Sequence, residues 1–255
     1  MRTLDTVMGI PMSIDIRDDG DWSAAARAAF ESMHEADRRF SRFRAESEVS
    51  AVNRGDIVPD EFSADLREVL DIGRAIEAAS AEAFTLRAPD GTLDTDGIVK
   101  GWAAARAAAA LRRAGIRTFC LNAGGDVAVA GTPDGSPWNI GIRSPSDAHR
   151  MLAVLSVTDG AIATSGAYER GAHIIDGRTG MPATAYASVT VIADDLTVAD
   201  ALATAVFALG SDGVGWALGQ GARGVLALNS DGELVGAGEL PFAHSLTDGR
   251  HPVSP

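Results

Sequence analysis

The chain is poor in basic residues, has almost no cysteine, and starts without an uninterrupted apolar run. Of its 255 residues, 22 are Lys or Arg against 35 Asp or Glu, a formal net charge of −13. Most of the surface therefore repels a nucleic-acid backbone or an anionic membrane, and no nucleic-acid partner is expected. An anionic ligand needs local help from a metal ion, a helix N-terminus or a few placed basic side chains. Cys120 is the one cysteine, which excludes an intramolecular disulfide; between Phe119 and Leu121 it reads as a buried strand thiol. The first ten residues carry Asp5 and lack a secretory-signal pattern, and the most apolar helical segments hold Arg106 or Asp200. No membrane insertion and a cytoplasmic location are the expectations. Gly-x-Gly-x-x-Gly in a βαβ setting and Gly-x-Ser-x-Gly are both missing, which argues against a dinucleotide fold of that type and against a serine nucleophile elbow.

What is present suffices for a folded core, since 46% of the residues are hydrophobic. No Pro- or Ser-rich linker, fixed-period repeat or low-complexity tract divides the chain, so residues 1–255 read as one domain. Trp22, Ala26, Ala29, Phe30, Met33, Asp37, Phe40 and Phe43 share a helical stripe behind Asp21 and Ser23. A second amphipathic helix follows Ser63 through Leu66, Val69, Leu70, Gly73 and Ile76, and a third runs from Ile98 to Ala114, stopped by Gly115. An opening strand is expected over residues 9–16. Beyond the third helix come short β-rich runs at 116–121, 126–130, 138–142, 151–157, 161–164, 173–176 and 188–192, separated by Gly-rich turns that favour an antiparallel meander. A helix over 197–209 and a hairpin turning at Asn229-Ser-Asp-Gly232 complete an α+β chain, with mixed or antiparallel sheets, packed helices and a ligand cleft between them.

Four clusters could carry chemistry. Asp94-Thr-Asp-Gly-Ile-Val-Lys100 joins an acidic turn to a helix start, where N–H groups, the Lys100 ammonium and Gly97 suit a phosphate; an Asp-rich helix cap explains the same residues. Asn122-Ala-Gly-Gly-Asp126 lets the backbone turn tightly or lie against a ligand, and a plain hairpin turn needs the same glycines. Thr164-Ser-Gly166, followed by His173-Ile-Ile-Asp176-Gly-Arg-Thr-Gly180, offers hydroxyls and a histidine that could shuttle a proton or be merely structural. Asp200 and Thr204, one turn apart, are hard oxygen ligands suited to Mg²⁺, and a carboxylate buried among alanines requires a charged partner; the alternative is a partly exposed Asp on an Ala-rich helix.

Taken in order, these clusters, together with Trp138-Asn-Ile-Gly-Ile-Arg-Ser-Pro145, Ser188-Val-Thr-Val-Ile and the opening Met8-Gly-Ile-Pro-Met, resemble the FAD:protein FMN transferase family, also called the ApbE or flavin transferase family. The resemblance implies an α+β fold that binds FAD in a cleft with Mg²⁺ at the pyrophosphate. It implies transfer of FMN from FAD to a threonine of an acceptor flavoprotein, with release of AMP. By that likeness His173 is the general base and Lys100 contacts a carboxylate or phosphate. Asp200, Thr204 and a backbone oxygen near Gly97 hold the metal, while Asn122, Gly124, Gly125, Asp126, Thr164, Ser165, Gly166 and Asp176 line the nucleotide.

Three departures from the family pattern carry expectations. Phe84-Thr85 is followed by Asp94 within ten residues, where many relatives have Phe-Asp-x-Thr and a longer segment, which predicts a cleft more open on one side. Gly177 replaces a frequent Pro, which predicts a looser turn after Asp176, and a signal or lipoprotein leader common in the family is missing. Two other functions are compatible with the residues: an FAD pyrophosphatase giving FMN and AMP, and a non-catalytic flavin-binding protein.

Overall fold

The computed structural model describes residues 1–147, 149–166 and 174–243. Strands β1 (Arg2–Val7) and β2 (Ile10–Ile16) open the chain as a hairpin that turns through Met8 and Gly9, both with positive φ. Helix α1 (Ser23–Phe40) buries Ala26, Ala29, Phe30, Met33, Ala36 and Phe40, the spacing of a single helix face. Asp21 accepts from the Ser23 N–H at 3.0 Å just ahead of it. The helix stops at Phe40, so Phe43 is not on the buried stripe: it is 80% exposed. A short helix that the sequence pattern does not show, α2 (Glu48–Arg54), starts on a Ser47 cap and ends on left-handed Gly55. Helix α3 (Ala64–Ala79) begins on Ser63, whose hydroxyl accepts from the Leu66 N–H, and α4 (Asp96–Arg113) starts two residues earlier than its apolar pattern suggests.

From here the chain is mostly antiparallel sheet. Strands β3 (Phe119–Ala123), β4 (Asp126–Ala130), β7 (Gly160–Gly166), β10 (Tyr186–Ala193), β11 (Ala222–Asn229) and β12 (Leu234–Gly238) join β1 and β2 in one eight-stranded sheet of order β1-β2-β3-β4-β7-β10-β11-β12. Every pairing in it is antiparallel. Strand β3 starts three residues after the expected 116 because the N–H groups of Arg117 and Thr118 donate to the Asp18 carboxylate instead of entering the ladder. The meander is interrupted where β5 (Trp138–Arg143) and β6 (Met151–Val157) leave as a separate hairpin, and β8 (Ile175–Asp176) with β9 (Met181–Pro182) forms another.

The sheet's two faces follow from the two-residue period of a strand. Val127 and Val129 of β4, with Ile162, Ile192 and Leu226, pack beneath the β5–β6 hairpin around Trp138, Ile142, Leu155 and Val157. The alternate residues, Ala128 and Ala130 among them, face the helices in the larger core. Helices α4 and α5 (Leu196–Leu209) cross there at Gly101, where any Cβ would stand 2.5 Å from the Asp200 Cβ and 2.6 Å from the Leu196 carbonyl. That bare backbone brings Asp200 against the start of α4. Helix α6 (Gly213–Leu218) follows. Among the described residues, Leu196–Leu218 is apolar and long enough to cross a membrane by length and composition, at mean hydropathy 1.4, which Asp200 and Asp212 do not prevent. It breaks at Gly210, where φ is +72, and packs inside the core. Cys120 is partly buried, and burial pushes its thiol up to about 12, far from thiolate chemistry at neutral pH.

Candidate active site

A cleft of about 890 Å³ opens beside α4, α5 and the ends of β4 and β7. Its inner wall is built from Gly97 and Lys100 of α4, Asp200 and Thr204 of α5, Thr164 to Gly166 of β7, and Gly124. The Lys100 ammonium forms an ion pair with Asp126 and stands 3.3 Å from an Asp200 oxygen. The other Asp200 oxygen accepts the Gly101 N–H at 2.7 Å. Asp126 in turn accepts the Thr164 N–H at 3.0 Å, and the Ser165 and Thr204 hydroxyls meet at 3.2 Å. Asp126 and Asp200 are buried at 1% and 4% exposure, a cost that only charge pairing and full hydrogen bonding offset. The charged partner that burial of Asp200 demands is thus Lys100, and the partly exposed alternative for Asp200 is excluded.

The outer wall is different in character. It comprises Ser41 to Phe43, Thr85 and Arg87 to Pro89, Asp94, and Arg143 at the end of β5. The shortened segment forms part of this wall through Thr85, Arg87, Ala88 and Pro89. It folds as a small hairpin bridged between Arg87 and Leu93, with the Ala88 N–H donating to the Thr92 carbonyl at 2.9 Å. Asn53 fastens it by two bonds, accepting the Leu93 N–H at 2.7 Å and donating to the Leu93 carbonyl at 3.1 Å. Arg42 reaches over to Asp94 at 2.7 Å.

Of the residues singled out in the sequence, Gly97, Lys100, Gly124, Thr164, Ser165, Gly166, Asp200 and Thr204 are brought together at this inner wall, and Asp126 is buried behind it against Lys100. Asn122 and Gly125 are not on it: the Asn122 side-chain oxygen accepts the Gly125 N–H at 2.8 Å and closes the β3–β4 turn. Asp176 is also off the wall. Arg178 donates to it from Nε and Nη2, each at 2.8 Å, and that bonding holds the carboxyl below its ordinary value. Ile174 and Ile175 line the cleft instead. His173 lies outside the described residues. Gly177 does not loosen its turn: its N–H donates to the Ala83 carbonyl at 3.0 Å, and a Cβ there would fall 2.3 Å from the Glu82 carbonyl oxygen. The sequence reading gave no role to Asn53, Arg42 or Arg143, although Arg143 lies within the 138–145 stretch that carries the resemblance; only the contacts between distant segments bring the three to this wall.

Among the described residues no group of three or more His, Cys, Asp or Glu side chains is placed to hold a metal ion. A cation in this cleft would therefore draw on hydroxyl and carbonyl oxygens as well as Asp200. Asp200 and Thr204 share the wall with Gly97, where an added Cβ would press to 3.1 Å from the Phe84 ring and 3.3 Å from the Thr204 methyl. These are all hard oxygen donors, the chemistry that Mg²⁺ takes.

Comparison with known proteins follows the same outline. The model of a family described as the ApbE family matches residues 8–89 and 85–227. A curated protein named FAD:protein FMN transferase from Rhodobacter capsulatus is 36% identical over 172 residues, covering 63% of this chain and 32% of that protein. Another of the same name from Vibrio cholerae is 34% identical over 172 residues, covering 62% and 51%. The matches thus span about half or less of the length of these relatives. The solved structure of flavin transferase ApbE from Vibrio cholerae shares the fold, with a TM-score of 0.81 at 22% identity over 93% of this chain and 96% of that one. The ApbE protein from Thermotoga maritima gives 0.80 at 25% identity over 92% and 96%.

Proposed function

This chain belongs to the ApbE family, and from that premise we propose that it transfers FMN from FAD to a threonine of an acceptor flavoprotein and releases AMP. The observation that carries the reading is Lys100 and Asp200 on the wall of a dinucleotide-sized cleft, with Asp126 buried behind Lys100, in a chain whose net charge of −13 repels anions. In the proposed step the threonine oxygen attacks the phosphorus on the FMN side. A phosphoester forms, the bond to the AMP phosphate breaks, AMP departs, and the threonine proton passes to His173 as general base.

Asp200, Thr204 and the backbone oxygen near Gly97 would hold Mg²⁺, which would offset the charge of the pyrophosphate. The chain's own groups do the rest. Asp126 and Asp200 hold the Lys100 ammonium at the wall, and the Gly101 N–H fixes one Asp200 oxygen. Gly124 and the Thr164 to Gly166 strand end line the nucleotide with short side chains and backbone. The acceptor and the enzyme are placed in the cytoplasm by this proposal.

The test is incubation with FAD, Mg²⁺ and candidate flavoproteins, with mass spectrometry for FMN added on threonine and assay of AMP. FMN and AMP formed without any labelled protein would mark a pyrophosphatase, and intact bound FAD a non-catalytic binder. His173→Ala is expected to lower transfer by about 10²–10⁴-fold while FAD binding persists. Parallel loss of binding would make it a ligand contact. Fractionation of the host checks the location, and recovery outside the cytoplasmic membrane would overturn it.

A further inference from the structure

Four cationic side chains stand on the described cleft wall, and three of them are spoken for. Arg42 is held by Asp94 at 2.7 Å and Asp96 at 3.6 Å, Arg87 donates to the Gly91 carbonyl at 3.0 Å, and Lys100 pairs with Asp126 and Asp200. Arg143 is exposed and has no hydrogen bond or ion pair from its guanidinium to any described residue. The acids of the same wall offer it nothing, since Asp37 faces Arg44 at 2.9 Å and the others are paired as above.

We propose that Arg143 recognises the acceptor, its guanidinium binding a carboxylate on the polypeptide segment that bears the threonine to be modified. The inference rests on the transferase reading. Two features of the β5–β6 hairpin support it. A bulge between Ile142 and Arg143, set against Ala153 and Met151 of β6, leaves Leu152 without a partner in the ladder just where the strand reaches the cleft. Bulges of this kind increase local twist and redirect a side chain. The residue opposite Arg143 is Met151, 58% exposed, so a free cation and an adaptable apolar side chain stand together at the rim.

The position separates acceptor from nucleotide. The buried groups suited to an enclosed anion all sit on α4, α5, β4 and β7, whereas Arg143 is solvent-exposed on the outlying hairpin. A polypeptide entering the cleft has to cross that rim. With −13 on the chain as a whole, an acidic segment is repelled elsewhere, so one unpaired cation beside the opening sets local preference.

Three synthetic threonine peptides differing only in a Glu, Gln or Lys beside the threonine test this with FAD and Mg²⁺, using the wild type, Arg143→Gln and Arg143→Glu. The wild type is expected to favour the Glu peptide over the Lys peptide by about tenfold in kcat/KM, Arg143→Gln to level the series and Arg143→Glu to invert it, at unchanged FAD affinity. The same peptide ranking in all three enzymes overturns the proposal. So does a fall in FAD affinity in the Arg143 variants, which would put the guanidinium on the nucleotide. If the wild type labels a flavoprotein but no peptide, this inference fails alone, and if it labels neither, the transferase reading fails with it.

Discussion

On the inner wall of the cleft, charge is buried and answered by charge; on the outer wall it is exposed and strung between loops. Lys100, Asp126 and Asp200 come from a helix, a strand and a second helix, and each is fixed by the packing of the element that carries it. Arg42, Asp94, Asn53 and the 85–94 hairpin are held by side-chain bonds between irregular segments. The contrast separates two jobs. A preorganised low-dielectric wall can hold a highly charged ligand at little reorganisation cost, while a loop-built rim can change its partners without disturbing the core.

The sharpest way to break the comparison is to remove Asp200. Asp200→Ala is expected to cut FAD turnover by orders of magnitude at limiting Mg²⁺, since it deletes the charged oxygen on the wall while Ala remains a good helix former. Turnover equal to the wild type in that assay would sink the metal assignment. Lys100→Met should act next most strongly, on stability. It strands the Asp126 carboxylate, and breaking a buried pair costs about 3–5 kcal/mol, with the low end expected because Lys100 keeps 20% side-chain exposure. Urea unfolding measures it, and a loss under 1 kcal/mol would show the inner wall to be solvated like the outer one.

Asn53→Ala probes the outer wall with a smaller change. Two hydrogen bonds to Leu93 disappear, at about 0.5–1.5 kcal/mol each, and the hairpin should loosen enough to weaken FAD binding a few-fold with the melting temperature little altered. A fall in melting temperature as large as that of Lys100→Met would erase the distinction between the walls. The smallest effect concerns Asp176, whose carboxyl is held below the ordinary value of 3.8 by Arg178. A lowered folded-state value stabilises the protein above the ordinary range and the contribution fades as pH falls through the folded value. Asp176→Asn should therefore lower neutral-pH stability slightly and leave stability near pH 2 nearly unchanged, as measured by urea unfolding followed by circular dichroism at a series of pH values from 7 to about 2.

The long periodic elements were the most legible in the sequence. Strands β4 and β6 match their apolar runs at both ends, and α5 begins only one residue before the expected 197. Misreadings cluster where a pattern depends on something remote. Phe43 continues the α1 stripe by spacing, yet Ser41 is extended and the chain leaves the helix, so the ring is exposed at the cleft. Strand β1, with alternating polar residues at a sheet edge, carries little apolar signal, and its Leu4 is 68% exposed. At the site, Asp176 looked like a ligand because it lies in a dense polar motif, but Arg178 two residues on takes up its carboxylate.

By itself the sequence determined the helices and strands with strong periodicity, the acidic balance, the ordered motifs that place it in its family, and the need for some cation to face Asp200. Tertiary structure decided which cation that is. The Lys100–Asp200 contact joins two helices far apart in the chain, and it exists because Gly101 allows α4 and α5 to cross at backbone distance. Tertiary structure also decided that the β5–β6 hairpin leaves the meander to cover the second face of the sheet and carry Arg143 to the rim. Hydrophobic periodicity records which face of a local element is buried; it holds no information about which distant element buries it, and that is where a site assembled from four elements is specified.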